Sequence, residues 1–181
     1  MITPAAAAVS PSRVAVVTGA NKGIGFYIAL LLTQSNLFSH IILGCRDKTR
    51  GDAAVTAIQK TLPPSSSQTI ITNLPLILGD ASSHERFKNE IENRHGGKLD
   101  VLINNAATAF KGADPTPFER QTKPTLDVNF RGTLDVTMTL LPLLRRGSDA
   151  RIVNVASMAG RLGQIRSAGL RDKFLSSSLT L

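Results

Sequence analysis

Ser157 closes the run RIVNVAS (151–157) and is followed by small residues, so a hydroxyl stands where a strand gives way to a turn. A serine there either caps the turn or orients a substrate group. A second signature lies near the start of the chain, where TGANKGIG (18–25) sets glycines at 19, 23 and 25 between an apolar run and a segment of helical length. In that context Gly19 permits a tight turn, Gly23 lets the backbone approach a pyrophosphate, and Gly25 allows close helix packing. Asn21, Lys22 and Ile24 complete the loop, and the helix start offers amides and a positive dipole end to phosphates.

The next apolar run ends at Cys45-Arg46-Asp47. An acidic residue at this point would hold the ribose hydroxyls of NAD, whereas an arginine suits the 2′-phosphate of NADP. Arg46 points to NADPH, with Lys22 and Arg50 as helpers, and Asp47 is the competing reading because it lies one position later.

Such groups need a scaffold, and the hydrophobic pattern supplies one. Strands are predicted over 13–20, 40–47, 74–80, 99–107 and 150–157, and helices over 24–36, 48–61 and 82–95. Pro75 can sit only at the start or edge of its strand. Ser82 and Glu85 read as a capping box that opens the third helix. A proline-rich loop (111–124) leads to one long amphipathic segment over 125–145, with Leu126, Phe130, Leu134, Met138 and Leu141 on one face. Five strands with apolar runs, buried on both faces and separated by helices, describe a doubly wound α/β fold with a parallel sheet.

Residues 1–12, interrupted by Pro4 and Pro11 and without a basic start, are expected to be a disordered leader, and PPSSSQ (63–68) a surface loop. No apolar run approaches the roughly 20 residues of a membrane span. The single cysteine, Cys45, excludes an internal disulfide and suits a reducing compartment, hence a cytoplasmic location. His40, His84 and His95 form no metal-ligand spacing with it, so no metal is expected. The net charge is +8, yet the basic residues form no runs and interleave with few aromatics, which argues against nucleic acid. From Arg145 onward seven basic residues face two acidic ones, a solvated basic tail or, as a lesser reading, a polyanion site.

TGANKGIG, Gly79-Asp80, NNAA (104–107), NFRGT (129–133) and RIVNVAS fall in the order found in short-chain dehydrogenases/reductases, and the chain closely resembles their NADPH-dependent carbonyl reductases from about Arg13 to Ser157. The resemblance implies a Rossmann fold and reduction of ketones, aldehydes or quinones, small-molecule carbonyl substrates, to alcohols by hydride transfer. It places Gly19, Gly23 and Gly25 in the cofactor loop, Asp80 against the adenine and Asn105 where the backbone borders the cofactor ribose. Asn129 matches the asparagine of the active-site water relay, and Ser157 the serine that binds the substrate carbonyl. Phe110 and Gln121 fall in the loop that in animal relatives borders the substrate or a glutathione moiety, and Ala107 replaces the usual glycine. Read alone, Asp80 is also a helix cap, Asn129 a main-chain partner and Ser157 a turn residue.

The family's proton donor is a tyrosine with a lysine four residues later, and no Tyr-x-x-x-Lys occurs here: Tyr27, the single tyrosine, has Leu31 in the fourth place and reads as a packing residue. SAGLRDKF (167–174) resembles part of an insert that precedes this tyrosine in carbonyl reductases. Residues 13–157 are thus expected to form the NADP-binding domain, incomplete after the fifth strand, and 158–181 a basic, poorly ordered tail. The implied strand order 3-2-1-4-5 leaves the fifth strand as an open edge suited to self-association. Turnover by this chain alone is expected to be impaired. A non-catalytic NADP-binding or interaction protein is the alternative.

Overall fold

A computed structural model of the chain describes residues 12–62 and 69–178. The expected leader, except Ser12, and the expected loop at 63–68 lie outside the described residues. In chain order the elements are β1 (Val14–Thr18), α1 (Gly23–Gln34), β2 (His40–Cys45), α2 (Lys48–Thr61), β3 (Ile70–Pro75), α3 (Ala81–Arg94), β4 (Val101–Asn104), α4 (Phe118–Leu126), a π-helical turn (Asp127–Gly132), α5 (Thr133–Leu144), β5 (Arg151–Asn154) and α6 (Ala168–Leu175). The sheet is wholly parallel and runs β3-β2-β1-β4-β5. This is the doubly wound order expected from the sequence.

Alternation along β1 divides the core between two layers. Val14 and Val16 join Leu102, Phe87, Ile91, Leu140 and Leu143 under α3 and α5. Ala15 and Val17 join Ile41, Leu43, Ala29, Ala54 and Ile58 under α1 and α2. A strand buried on both faces has no polar side, which is why β1 reads as a continuous apolar run. At the foot of the sheet the buried Asp100 carboxylate ties three segments together: Oδ2 accepts from Val14 N at 2.8 Å, and Oδ1 accepts from Ser148 N at 2.9 Å and Ser148 Oγ at 3.0 Å.

Several expectations are corrected. The third strand is Ile70–Pro75, not 74–80; Pro75 ends an edge strand, where a missing N–H is tolerated, and Leu76 and Leu78 turn into the core from the loop that follows. Helix α3 is capped not by Ser82 but two residues earlier by Asp80, whose Oδ1 accepts from Ser83 N at 3.1 Å, in line with the cap reading of Asp80. The amphipathic stretch predicted over 125–145 starts earlier, at Phe118, takes Pro124 inside its first segment and is broken by the π-turn. Its buried side is Val136, Leu140, Leu143 and Leu144, while Leu126, Phe130, Leu134 and Met138 stand exposed. The fifth strand is not covered on both faces: Ile152 is 43% and Val153 46% exposed, because β5 is an edge with little against it. Tyr27 does not pack into the core but is 63% exposed on the outer face of α1, edge-on to Phe26. Residues 158–178 form two short 3-10 turns and α6, nearly all exposed.

Candidate functional site

The glycine turn is built from close approaches. Gly19 has φ +66°, donates to Gly44 O at 2.8 Å, and lies so near Ala106 that a Cβ would sit 2.8 Å from the Ala106 Cα. Gly23, at φ +59°, begins α1, and Lys22 before it is extended with no side-chain cap; the first turn has no acidic residue. Uncapped amides and the positive end of the helix dipole therefore face outward, an arrangement that suits phosphate oxygens. Gly25 is needed for a different reason: a methyl there would collide with the Asn105 carboxamide. Asn105 Nδ2 donates to Thr18 O at 2.8 Å and to Gly19 O at 3.3 Å, so this side chain holds the turn from beneath while the backbone at 105–107 borders the groove.

At the end of β2 the two cofactor readings part. Asp47 caps α2, accepting from Arg50 N at 3.0 Å, and its other oxygen lies 3.5 Å from Arg50 Nε. Both carboxylate oxygens are thus engaged within the protein. Arg46 and Lys22 are exposed and have no carboxylate partner among the described residues. A shallow cleft of about 420 Å³ between α1 and α2 is lined by Asn21, Lys22, Phe26, Arg50 and three alanines, with Ile24 exposed at the helix start. A phosphate on an adenosine ribose fits this cationic rim; a ribose diol seeking a free carboxylate does not find one in Asp47. Asp80 has one oxygen committed to its cap, and hydrogen bonds from Ser82 and Ser83 N hold its carboxyl below the usual range.

A larger groove of about 660 Å³ lies beside the exposed face of α5 and β5. It brings together Asn105, Ala107, Asn129, Phe130, Leu134, Ile152 and Ser157. Asn129 sits in the π-turn and clamps the loop after β4: Oδ1 accepts from Thr108 N at 2.7 Å and Nδ2 donates to Thr108 O at 2.8 Å. A π-turn in a helix often marks a functional site, and nothing in the residue pattern announced this one. The Ser157 Oγ accepts from Ala159 N at 3.2 Å as the cap of a 3-10 turn, which leaves its proton available to a ligand in the groove. Phe110 and Gln121 do not line the groove; Gln121 Nε2 instead donates to Thr116 O at 2.6 Å and fixes its own loop.

No tyrosine stands near Ser157, since Tyr27 is on α1, and Lys173 is on the exposed α6. Burial pushes the Cys45 thiol up to about 11, so it is a packing group and not a nucleophile. Among the described residues no group of three or more His, Cys, Asp or Glu is placed to hold a metal ion, and no helix is long and apolar enough to cross a membrane.

Residues 13–169 match the profile of the short chain dehydrogenases. The chain is 43% identical over 171 residues to carbonyl reductase (NADPH) 1 of Homo sapiens, an alignment covering 93% of this chain and 57% of that protein. It is 40% identical over 174 residues to carbonyl reductase (NADPH) 3 of Mus musculus, covering 94% and 58%. The chain thus spans less than two thirds of the length of these relatives. Among solved structures, menthone neomenthol reductase from Mentha piperita superposes with a TM-score of 0.80 at 27% identity, covering 93% of this chain and 68% of that one. Salutaridine reductase from Papaver somniferum gives 0.78 at 28% identity, covering 93% and 65%. The chain belongs to the short-chain dehydrogenase family.

Proposed function

We propose that this chain carries the NADPH-binding part and the carbonyl-orienting serine of a reductase acting on ketones, aldehydes or quinones. The observation that carries the reading is the convergence of Asn105, Asn129 and Ser157 on one groove beside the glycine turn. NADPH supplies a hydride to the carbonyl carbon. The protein's own tasks are then to seat the phosphates on the α1 amides with Lys22 and Arg46, to border the cofactor with the backbone of 105–107, and to donate the Ser157 hydroxyl to the carbonyl oxygen. As negative charge grows on that oxygen, a donor aimed at it is worth more than in the ground state. Arg46 and Lys22, which have no carboxylate partner among the described residues while Asp47 is consumed as a cap, favour NADPH over NADH.

A second reading is favoured by the absence of a tyrosine or other acid beside Ser157 among the described residues: the 181-residue chain binds the cofactor without efficient reduction. Loss of a positioned general acid typically costs on the order of 10² to 10⁴ in rate. Oxidation of NADPH with a quinone or an aromatic ketone separates the two. Turnover at an ordinary rate of about 1–10³ per second would show that another group in this chain delivers the proton; cofactor binding with turnover lower by that factor is the expected result. The open β5 edge is proposed as a site of self-association.

A further inference from the structure

A seam of polar side chains crosses the C-terminal ends of β4 and β5 and reaches α5. Parallel pairing sets Asn104 opposite Asn154. Asn104 Nδ2 donates one hydrogen to Asn154 Oδ1 at 2.9 Å and the other to Thr137 Oγ1 at 3.0 Å. The Thr137 hydroxyl in turn donates to Thr133 O at 2.7 Å, which fixes the direction of the chain of bonds. The Asn104 carbonyl accepts from Val155 N at 2.9 Å.

Stability alone does not account for these residues. Asn104 is 7% exposed and follows the buried Leu102 and Ile103, and its Oδ1 has no hydrogen-bond partner among the described residues. A buried acceptor without a donor is a cost that an apolar side chain of similar shape would not carry. With leucine at 104, Asn154 would remain open to water and Thr137 would keep its bond to Thr133.

Location does account for them. Asn105, the next residue, holds the glycine turn; Ser157 lies three positions beyond Asn154; and α5, which carries Thr137, continues from the π-turn that carries Asn129. We propose that Asn104, Asn154 and Thr137 are positioning residues that fix the separation between the main chain at 105–107 and Ser157. This rests on the reading of the groove as the cofactor and carbonyl site.

The test is Asn104→Leu in the whole chain, read by thermal melting, residue-resolved amide exchange and NADPH titration. The expected result is a Tm kept or raised, with amide exchange at Ala106, Thr108 and Val155 faster by ~10-fold or more, and NADPH bound ~10-fold more weakly. Wild-type exchange at these three amides in a folded variant would overturn the proposal. So would a lowered Tm with faster exchange throughout and no excess at the three. If the leucine variant does not fold, Thr137→Val removes the acceptor on α5 at constant shape; it leaves one Asn104 N–H unpaired and lowers the Tm, so it is judged by the excess of exchange at the three amides alone. If the wild-type chain itself binds no NADPH, the functional reading falls while the exchange comparison still decides the positioning role.

Discussion

The Thr18 hydroxyl accepts from the main-chain N–H of Asn105 at 3.0 Å, and the same oxygen accepts from Ala106 N at 2.9 Å while facing Ile103 O at 3.4 Å. One buried side chain at the end of β1 therefore sets the course of the chain as it leaves β4, so the glycine turn and the loop that borders the groove are tied together. Thr18→Val keeps the shape but leaves two amides without an acceptor. Such unmade bonds cost about 1–3 kcal/mol. Urea unfolding should show a loss in that range together with weaker NADPH binding, and an unchanged midpoint would show that water or relaxation replaces the hydroxyl.

His84 predicts an acid-sensitive fold. Its ring, on α3, is 1% exposed. Burial lowers its pKa below the usual value, an effect that Asp135 across the helix interface opposes only in part. The unfolded chain therefore binds a proton at about pH 6.5 that the folded chain resists, and stability falls as pH drops below that value. His84→Leu should flatten the fall in Tm between about pH 7.5 and 5.5 relative to wild type. The residual slope belongs to His40 and His95, which are lowered as well. Equal slopes in variant and wild type would remove His84 from this role.

Asp100 acts in the opposite direction. Burial alone would raise its carboxyl, but the bonds from Val14 N, Ser148 N and Ser148 Oγ outweigh it and hold the pKa below the usual value. Its contribution is complete above about pH 4 and is lost as pH falls through the lowered value. Asp100→Asn keeps the shape and one acceptor oxygen but loses the charge; hydrogen bonds to charged groups are worth roughly 1.5–3 kcal/mol. A destabilisation of that size at neutral pH, shrinking below about pH 4, is expected from denaturant melts at both pH values.

How much of this was legible in the residues depends on where each one sits. β1, β2 and β4 read directly because strands buried on both faces have no polar side. β3 was shifted because Leu74, Leu76 and Leu78 outweigh the half-polar Ile70–Asn73, and an edge strand need not be the most apolar stretch. The buried face of α5 was not legible for a related reason. This helix has two apolar stripes, and which one is buried is settled by the phase set through the π-turn, not by composition. The glycine turn, Arg46, Asn129 and Ser157 were visible as motifs. The engagement of Asp47 as a cap and the Asn104–Asn154–Thr137 seam were not, since they depend on local cap geometry and strand register.

The β5 edge makes a prediction about association. Ile152 faces the groove and Val153, next in the alternating strand, faces the other way; both are near half exposed. An open apolar edge templates pairing with another chain, and a lysine on it opposes this. Sedimentation should show a concentration-dependent larger species for the wild-type chain and a reduced one for Val153→Lys. A monomer at all concentrations in the wild type would contradict self-association through this edge.

The glycine turn, Lys22 and Arg46 are proposed to form an NADPH site. Fluorescence titration of the wild-type chain and of Arg46→Ala with NADPH and with NADH tests it most directly. The wild type is expected to bind NADPH about tenfold or more tighter than NADH, and Arg46→Ala to remove this preference by weakening NADPH alone. Equal affinity for the two cofactors in the wild type, or binding of neither, would contradict it.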